Sequence, residues 1–213
     1  MPRILVINPN SSAACGACID AAVAPLRTLG GPAIDVLSVP DGPPAILSWR
    51  DWHAAVEPMC RLAEREAADA VVIACASDPG LDAMRAALGC PVLGVFRCAV
   101  AAAVTRAERF GVVAIVDASV GRHALVLRSA GLESRLAGEV ALNVSMDTLL
   151  DPAAARGRLI DAARRLVQDG ASVVVLGCTG MAGHRAAVEQ AAGVPVIEPC
   201  QAGVAMARLA LLD

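Results

Sequence analysis

Two stretches of this chain, with cysteines 103 positions apart, run through the same order of apolar strand, cysteine, small-residue turn, helix, Gly-x-Pro and strand. In the first, Val71-Val72-Ile73-Ala74-Cys75-Ala76-Ser77-Asp78-Pro79-Gly80 leads on to Gly89-Cys90-Pro91-Val92. In the second, Val174-Val175-Leu176-Gly177-Cys178-Thr179-Gly180-Met181-Ala182-Gly183 leads on to Gly193-Val194-Pro195-Val196. Ile4-Leu5-Val6-Ile7 and Val112-Val113-Ala114-Ile115 open the two halves alike. Self-similarity in the order of elements is the mark of an internal duplication. It restricts the chain to folds made of two similar lobes.

Each lobe reads as α/β. Short β-rich runs alternate with alanine-rich amphipathic segments, the pattern of a mostly parallel sheet flanked by helices. Strands are predicted at 4–7, 34–39, 70–74, 91–95, 110–116, 140–144, 173–176 and 194–197. Helices are predicted at 54–67, 81–88, 99–106, 123–130, 152–169 and 186–192, with Gly and Pro at the junctions. Ligands bind open α/β sheets beyond the carboxyl ends of the strands. Two such lobes facing one another therefore set Cys75 and Cys178 on opposite walls of one cleft, with the active site between them.

Composition narrows the chemistry. All 18 basic residues are arginine. Without a lysine ε-amine there is no pyridoxal phosphate Schiff base, no catalytic lysine and no lysine-bearing phosphate loop. The expectation is an enzyme with no cofactor. A net charge of −3 and only four aromatic residues (Trp49, Trp52, Phe96, Phe110) argue against nucleic acid and anionic membrane as partners. A small-molecule substrate is left. No uncharged apolar run reaches the ~18 residues of a membrane span, and the first residues lack a signal peptide's apolar core. A cytoplasmic location is the expectation, and the eight cysteines then read as free thiols.

A thiol on each face of a planar carbanion is what two-base proton transfer requires. Cys75 and Cys178 each end a strand and enter a turn, where N–H groups and the dipole of the next helix favour thiolate. The same N–H groups, with the Ser77 and Thr179 hydroxyls, are placed to receive charge developing on a carbonyl oxygen. Three other patterns compete. Cys15-Gly16-Ala17-Cys18 has thioredoxin-like spacing and would make a thiol oxidoreductase, but its position predicts two small residues inside a helix. Gly177-x-x-Gly180-x-x-Gly183 resembles a dinucleotide fingerprint, except that Cys178 occupies the position where pyrophosphate needs glycine. His53, His123 and His184 have no metal-ligand spacing and read as surface or capping residues, so no metal site is expected. A Cys178–His184 nucleophilic pair is the weaker alternative.

With these residues in place, a resemblance emerges. Ile7-Asn8-Pro9-Asn10-Ser11-Ser12, Gly42-Pro43-x-x-Ile46, Cys75-x-x-Asp78-Pro79-Gly80-Leu81 and Leu176-Gly177-Cys178-x-Gly180-Met181-Ala182 look like the motifs of hydantoin racemases. These form the hydantoin/allantoin branch of the aspartate/glutamate racemase superfamily. The resemblance implies two pseudo-symmetric lobes, residues 1–97 with 200–213 and residues 98–199, the C-terminal helix returning to the first. It implies a racemase, an isomerase acting on 5-substituted hydantoins or a related ring ureide, with Cys75 and Cys178 as the proton-transferring pair. It further implies Asn8 lining the site from the first strand, Ser77, Thr179 and Gly180 around the substrate carbonyl, and the 116–119 segment with Ser119 as another wall. A homo-oligomer is expected on the same ground. Ala76 replaces an aromatic that often follows the first cysteine in that branch. Thr179 is the residue carried there by the superfamily's amino-acid racemases. An aspartate- or glutamate-type racemase and a maleate-type isomerase thus remain alternatives. Because the motif turns carry no arginine to hold a free carboxylate, neutral rings are expected to be preferred.

Overall fold

The computed structural model describes residues 1–212. The first half runs β1 (Arg3–Asn8), α1 (Ala13–Val23), β2 (Ala33–Ser38), α2 (Trp49–Ala54), α3 (Val56–Arg65), β3 (Ala70–Ile73), α4 (Leu81–Ala87), β4 (Val92–Gly94) and α5 (Val95–Val104). The second runs β5 (Phe110–Ala114), α6 (Asp117–Ser129), β6 (Leu136–Ala141), α7 (Met146–Leu150), α8 (Pro152–Gln168), β7 (Val173–Gly177), α9 (Arg185–Ala192), β8 (Val196–Ile197) and α10 (Pro199–Ala210). The strands form two four-stranded parallel sheets, ordered β2-β1-β3-β4 and β6-β5-β7-β8. The two orders are the same topology repeated, as the doubled sequence predicts.

The near-continuous apolar runs follow from burial on both sheet faces, since successive side chains of a strand point opposite ways. Ile4 and Val6 of β1 pack with Ile19 and Val23 of α1 and Val204 of α10. Leu5 and Ile7 turn to Met59 and Leu62 of α3 and Met84 of α4. In the second sheet Val113 meets Leu159 and Leu166 of α8, and Val112 meets Phe96 and Val100 of α5. Helix α5 thus covers the second sheet, α10 returns to the first, and the two helices lie against each other. The position between residues 97 and 98 falls inside α5.

Element boundaries depart from expectation where tertiary contacts outweigh local pattern. The strand predicted at 140–144 is β6 at Leu136–Ala141, whose residues are all partly exposed, so no apolar run marked its start. The helix predicted to begin at 99 begins at Val95, because a buried carboxylate caps it (below). The helix predicted at 123–130 begins at Asp117, with its signal diluted by Gly121. Among the described residues, no helix is long and apolar enough to cross a membrane.

Candidate active site

Cys75 follows β3 and Cys178 follows β7, the equivalent strands of the two sheets. Ladder bonds carry the first strand one residue beyond its last paired position, the Ala74 N–H donating to the Ile7 carbonyl at 2.8 Å. Gly177 pairs with Ala114 at the end of the second. A Cβ at Gly177 would stand 2.6 Å from the Val113 carbonyl oxygen, so only glycine lets β7 run this close to β5 immediately before Cys178. Both cysteines line one cavity of about 450 Å³ including its mouth. Ser77, Ser119 and Thr179 line it as well.

The loop after Cys75 is fixed by Asp78, a fully buried carboxylate in the left-handed region at φ 48°. It accepts from the Phe96 and Arg97 backbone N–H groups at 2.9 and 3.0 Å and from the Arg97 guanidinium at 3.3 Å. Asp78 thereby caps α5, satisfying two N–H groups of its otherwise unpaired first turn. Gly94, just before that helix, has no side chain for a steric reason. A Cβ there would lie 2.3–2.6 Å from the Asp78 carboxyl group.

The two thiols have different surroundings. Burial is the largest influence on both and pushes both pKa values up. At Cys75 this is opposed by the Ser77 hydroxyl, 3.4 Å from Sγ, by the Ser77 N–H and by the positive charge of Arg122. At Cys178 the opposing donor is the Gly180 N–H, and the charge of Cys75 adds to the rise. The expected helix-dipole activation of both thiolates is therefore corrected. Helix α4 starts only at Leu81, and Cys178 is followed by a 3₁₀ segment, Thr179–His184, so neither sulfur sits at an α-helix N-terminus.

Asn8 is fully buried and does not line the cavity. Its amide donates to Asn10 Oδ1 at 3.0 Å, Ser38 Oγ at 3.0 Å and the Ser12 carbonyl at 3.3 Å. Asn10 occupies the wall instead, held by Asn8. Gly180 serves as the donor toward Cys178 and is not itself part of the lining. Cys15 and Cys18 lie inside α1 as free thiols, Cys15 at the cavity and Cys18 against the Thr179 and Gly180 carbonyls.

Sequence reasoning missed Arg122 and His123, which enter the cavity from α6. Their signal was there: Ser119, Arg122 and His123 stand at i, i+3 and i+4, on one face of a helix that starts at a strand end. His123 is no surface residue. It is fully buried, stacked on Phe96 with ring centroids 4.2 Å apart, its Nδ1 2.5 Å from Glu139 Oε1 and its Nε2 unpartnered. His184 is buried too, and its Nε2 donates to the Leu149 carbonyl at 3.1 Å rather than to Cys178. Arg122 is 2 % exposed; one terminal nitrogen donates to Ser119 Oγ at 3.0 Å, while Nε and Nη1 have no partner. Trp52 of α2 donates its indole N–H to the Ser77 carbonyl at 3.1 Å, tying the segment beyond the Gly42 turn to the Cys75 loop. Among the described residues, no group of three or more His, Cys, Asp or Glu is placed to hold a metal ion.

Two duplicated α/β lobes with a strand-end cysteine from each lining one cavity define a two-lobed, paired-cysteine α/β architecture. The chain belongs to the Asp/Glu/Hydantoin racemase family, whose sequence profile matches residues 4–207. It is 38 % identical to a hydantoin racemase of Paenarthrobacter aurescens, over 96 % of this chain and 89 % of that one. It is 33 % identical to a hydantoin racemase of Pseudomonas sp. (strain NS671), over 96 % and 84 % respectively. Among solved structures, allantoin racemase from Klebsiella pneumoniae superposes with a TM-score of 0.91 at 28 % identity, covering 100 % of this chain and 88 % of the other. A glutamate racemase from Bacillus anthracis shares the fold at a TM-score of 0.76 and 19 % identity, covering 99 % and 82 %.

Proposed function

We propose that this protein racemises 5-substituted hydantoins or a related ring ureide by two-base proton transfer, without a cofactor. The observation that carries the reading is that Cys75 and Cys178, one from each lobe, line the same cavity. The names of its relatives and its likeness to allantoin racemase support the substrate class. Cys75, beside Arg122 and Ser77, is the thiol that ionises first and acts as the base, and Cys178 stays protonated as the acid. The thiolate removes the proton from ring carbon 5, leaving a carbanion delocalised onto the adjacent carbonyl. Cys178 then delivers its proton to the opposite face. Thiol and thiolate have exchanged places, and the other enantiomer runs the sequence in reverse. Ser77 and Thr179, with nearby backbone N–H groups, stabilise the charge on the carbonyl oxygen.

Proton exchange in D₂O tests this directly. Cys75→Ser and Cys178→Ser should each lower racemisation by ~10²–10⁴-fold, the usual contribution of a positioned acid or base. Each variant should still exchange the C5 proton of one enantiomer through its surviving thiolate, with retention, and the two should prefer opposite enantiomers. Exchange of the same enantiomer by both variants, or racemisation by either at the wild-type rate, would exclude opposed thiols.

A further inference from the structure

The motif turns lack arginine, as the sequence shows, but the cavity does not. Of the described residues that line it, Arg122 is the only Arg, Asp or Glu. Its guanidinium is held by a single hydrogen bond, to Ser119, and two of its N–H-bearing nitrogens are buried without partners. Buried guanidinium groups are ordinarily paired, because removing that charge from water without compensation is costly. The nearby carboxylate does not supply the pairing. Asp51 is engaged by the Ser48 hydroxyl at 2.8 Å and by the Ser48 and Leu47 N–H groups at 2.9 and 3.2 Å, and forms no salt bridge with Arg122 within 4.0 Å. The face of Trp49, 5.8 Å from the guanidinium carbon, stabilises the cation without using its in-plane donors. Nor is Arg122 hydrogen-bonded to the Cys75 sulfur, whose polar partner is Ser77. The site therefore holds a fixed positive group with unused planar donors beside the thiol that we assign as base. Such charged in-plane donors match a carboxylate, to which each can give a charge-assisted hydrogen bond.

We infer that the substrate carries a carboxylate on the side chain of its ring carbon, and that Arg122 receives it. The inference rests on the ring-ureide reading and narrows it to the hydantoins of acidic amino acids. It reverses the preference for neutral rings expected from the motif turns alone.

The test compares hydantoin-5-acetic and hydantoin-5-propionic acids with their primary amides, which keep the shape and lose the charge. 5-Methylhydantoin, aspartate and glutamate serve as further arms. The wild-type protein should show a kcat/KM ratio of acid over amide of ~10–100, as a hydrogen bond to a charged group confers. Arg122→Gln should bring that ratio close to one, and Arg122→Lys should retain part of it. Far-ultraviolet circular dichroism and a melting curve establish that each variant is folded, and the wild-type ratio needs no variant. Equal wild-type rates on acid and amide overturn the inference while leaving ring racemisation intact. So does an Arg122→Gln variant that slows both substrates by the same factor, since the charge then serves only Cys75. If no ring exchanges its C5 proton while aspartate or glutamate does, the ring-ureide reading itself falls, and this inference falls with it.

Discussion

Cys75 and Cys178 share one cavity but not one environment, and the difference should be chemically visible. Burial raises both thiol pKa values, and only Cys75 has a hydroxyl and a guanidinium opposing the rise. Because the shift favours the neutral form, thiolate accumulates only as pH climbs past the ordinary thiol range. The rate of proton transfer should therefore rise into the alkaline region and fall again once the acid partner has also lost its proton, the two apparent values belonging to the coupled pair. Iodoacetamide should modify Cys75 before Cys178, faster at higher pH, and substrate should protect both. Peptide mapping after partial alkylation gives the order; Cys178 labelled first would overturn the assignment of Cys75 as the thiol that ionises first.

At the scale of elements, the loop carrying Cys75 and the start of α5 are one structural unit. Asp78 closes the turn and caps the helix with the same carboxylate, although burial pushes its own pKa up. Replacing it with alanine leaves two N–H groups at the head of α5 unsatisfied, which costs ~1–3 kcal/mol for a buried donor. Asp78→Ala should thus lower the melting temperature, and should lower activity further by freeing the turn that aims the thiol. A variant as stable and active as wild type would show that the cap is dispensable. The same cap explains why α5 begins in Val95 and Phe96, residues whose β preference would otherwise extend the strand.

For the whole molecule, the division into lobes is a statement about topology, and we propose that it is not one about independent stability. Helix α5 covers the second sheet while packing on α10, which covers the first. Either lobe alone would expose a large apolar face, an arrangement that does not persist in water. Thermal unfolding should be a single cooperative transition. Both tryptophans, Trp49 and Trp52, belong to the first half, so their fluorescence reports that half while far-ultraviolet circular dichroism reports the whole. Coincident transitions are expected. Two separated midpoints would mean that the lobes unfold independently.

The doubled strand–Cys–turn order was enough, by itself, to define two parallel α/β lobes and to single out Cys75 and Cys178, because apolar runs, turn residues and their spacing are local properties that a chain carries openly. The absence of lysine was equally legible. What tertiary structure decided lies where one residue answers to another far away in sequence. Asn8 read as a wall of the site and is instead the buried bracket of Asn10. Helix α5 starts four residues early because Asp78, from another loop, caps it. Both thiols are held toward the neutral form because the lobes bury them more fully than the turn donors can offset. Arg122 became part of the site only when α6 was laid against the cleft, bringing a charge beside Cys75 from a segment whose one sequence signal was its helical spacing from Ser119. Electrostatics and burial depend on distances through space, and those are set only once the two lobes have packed together.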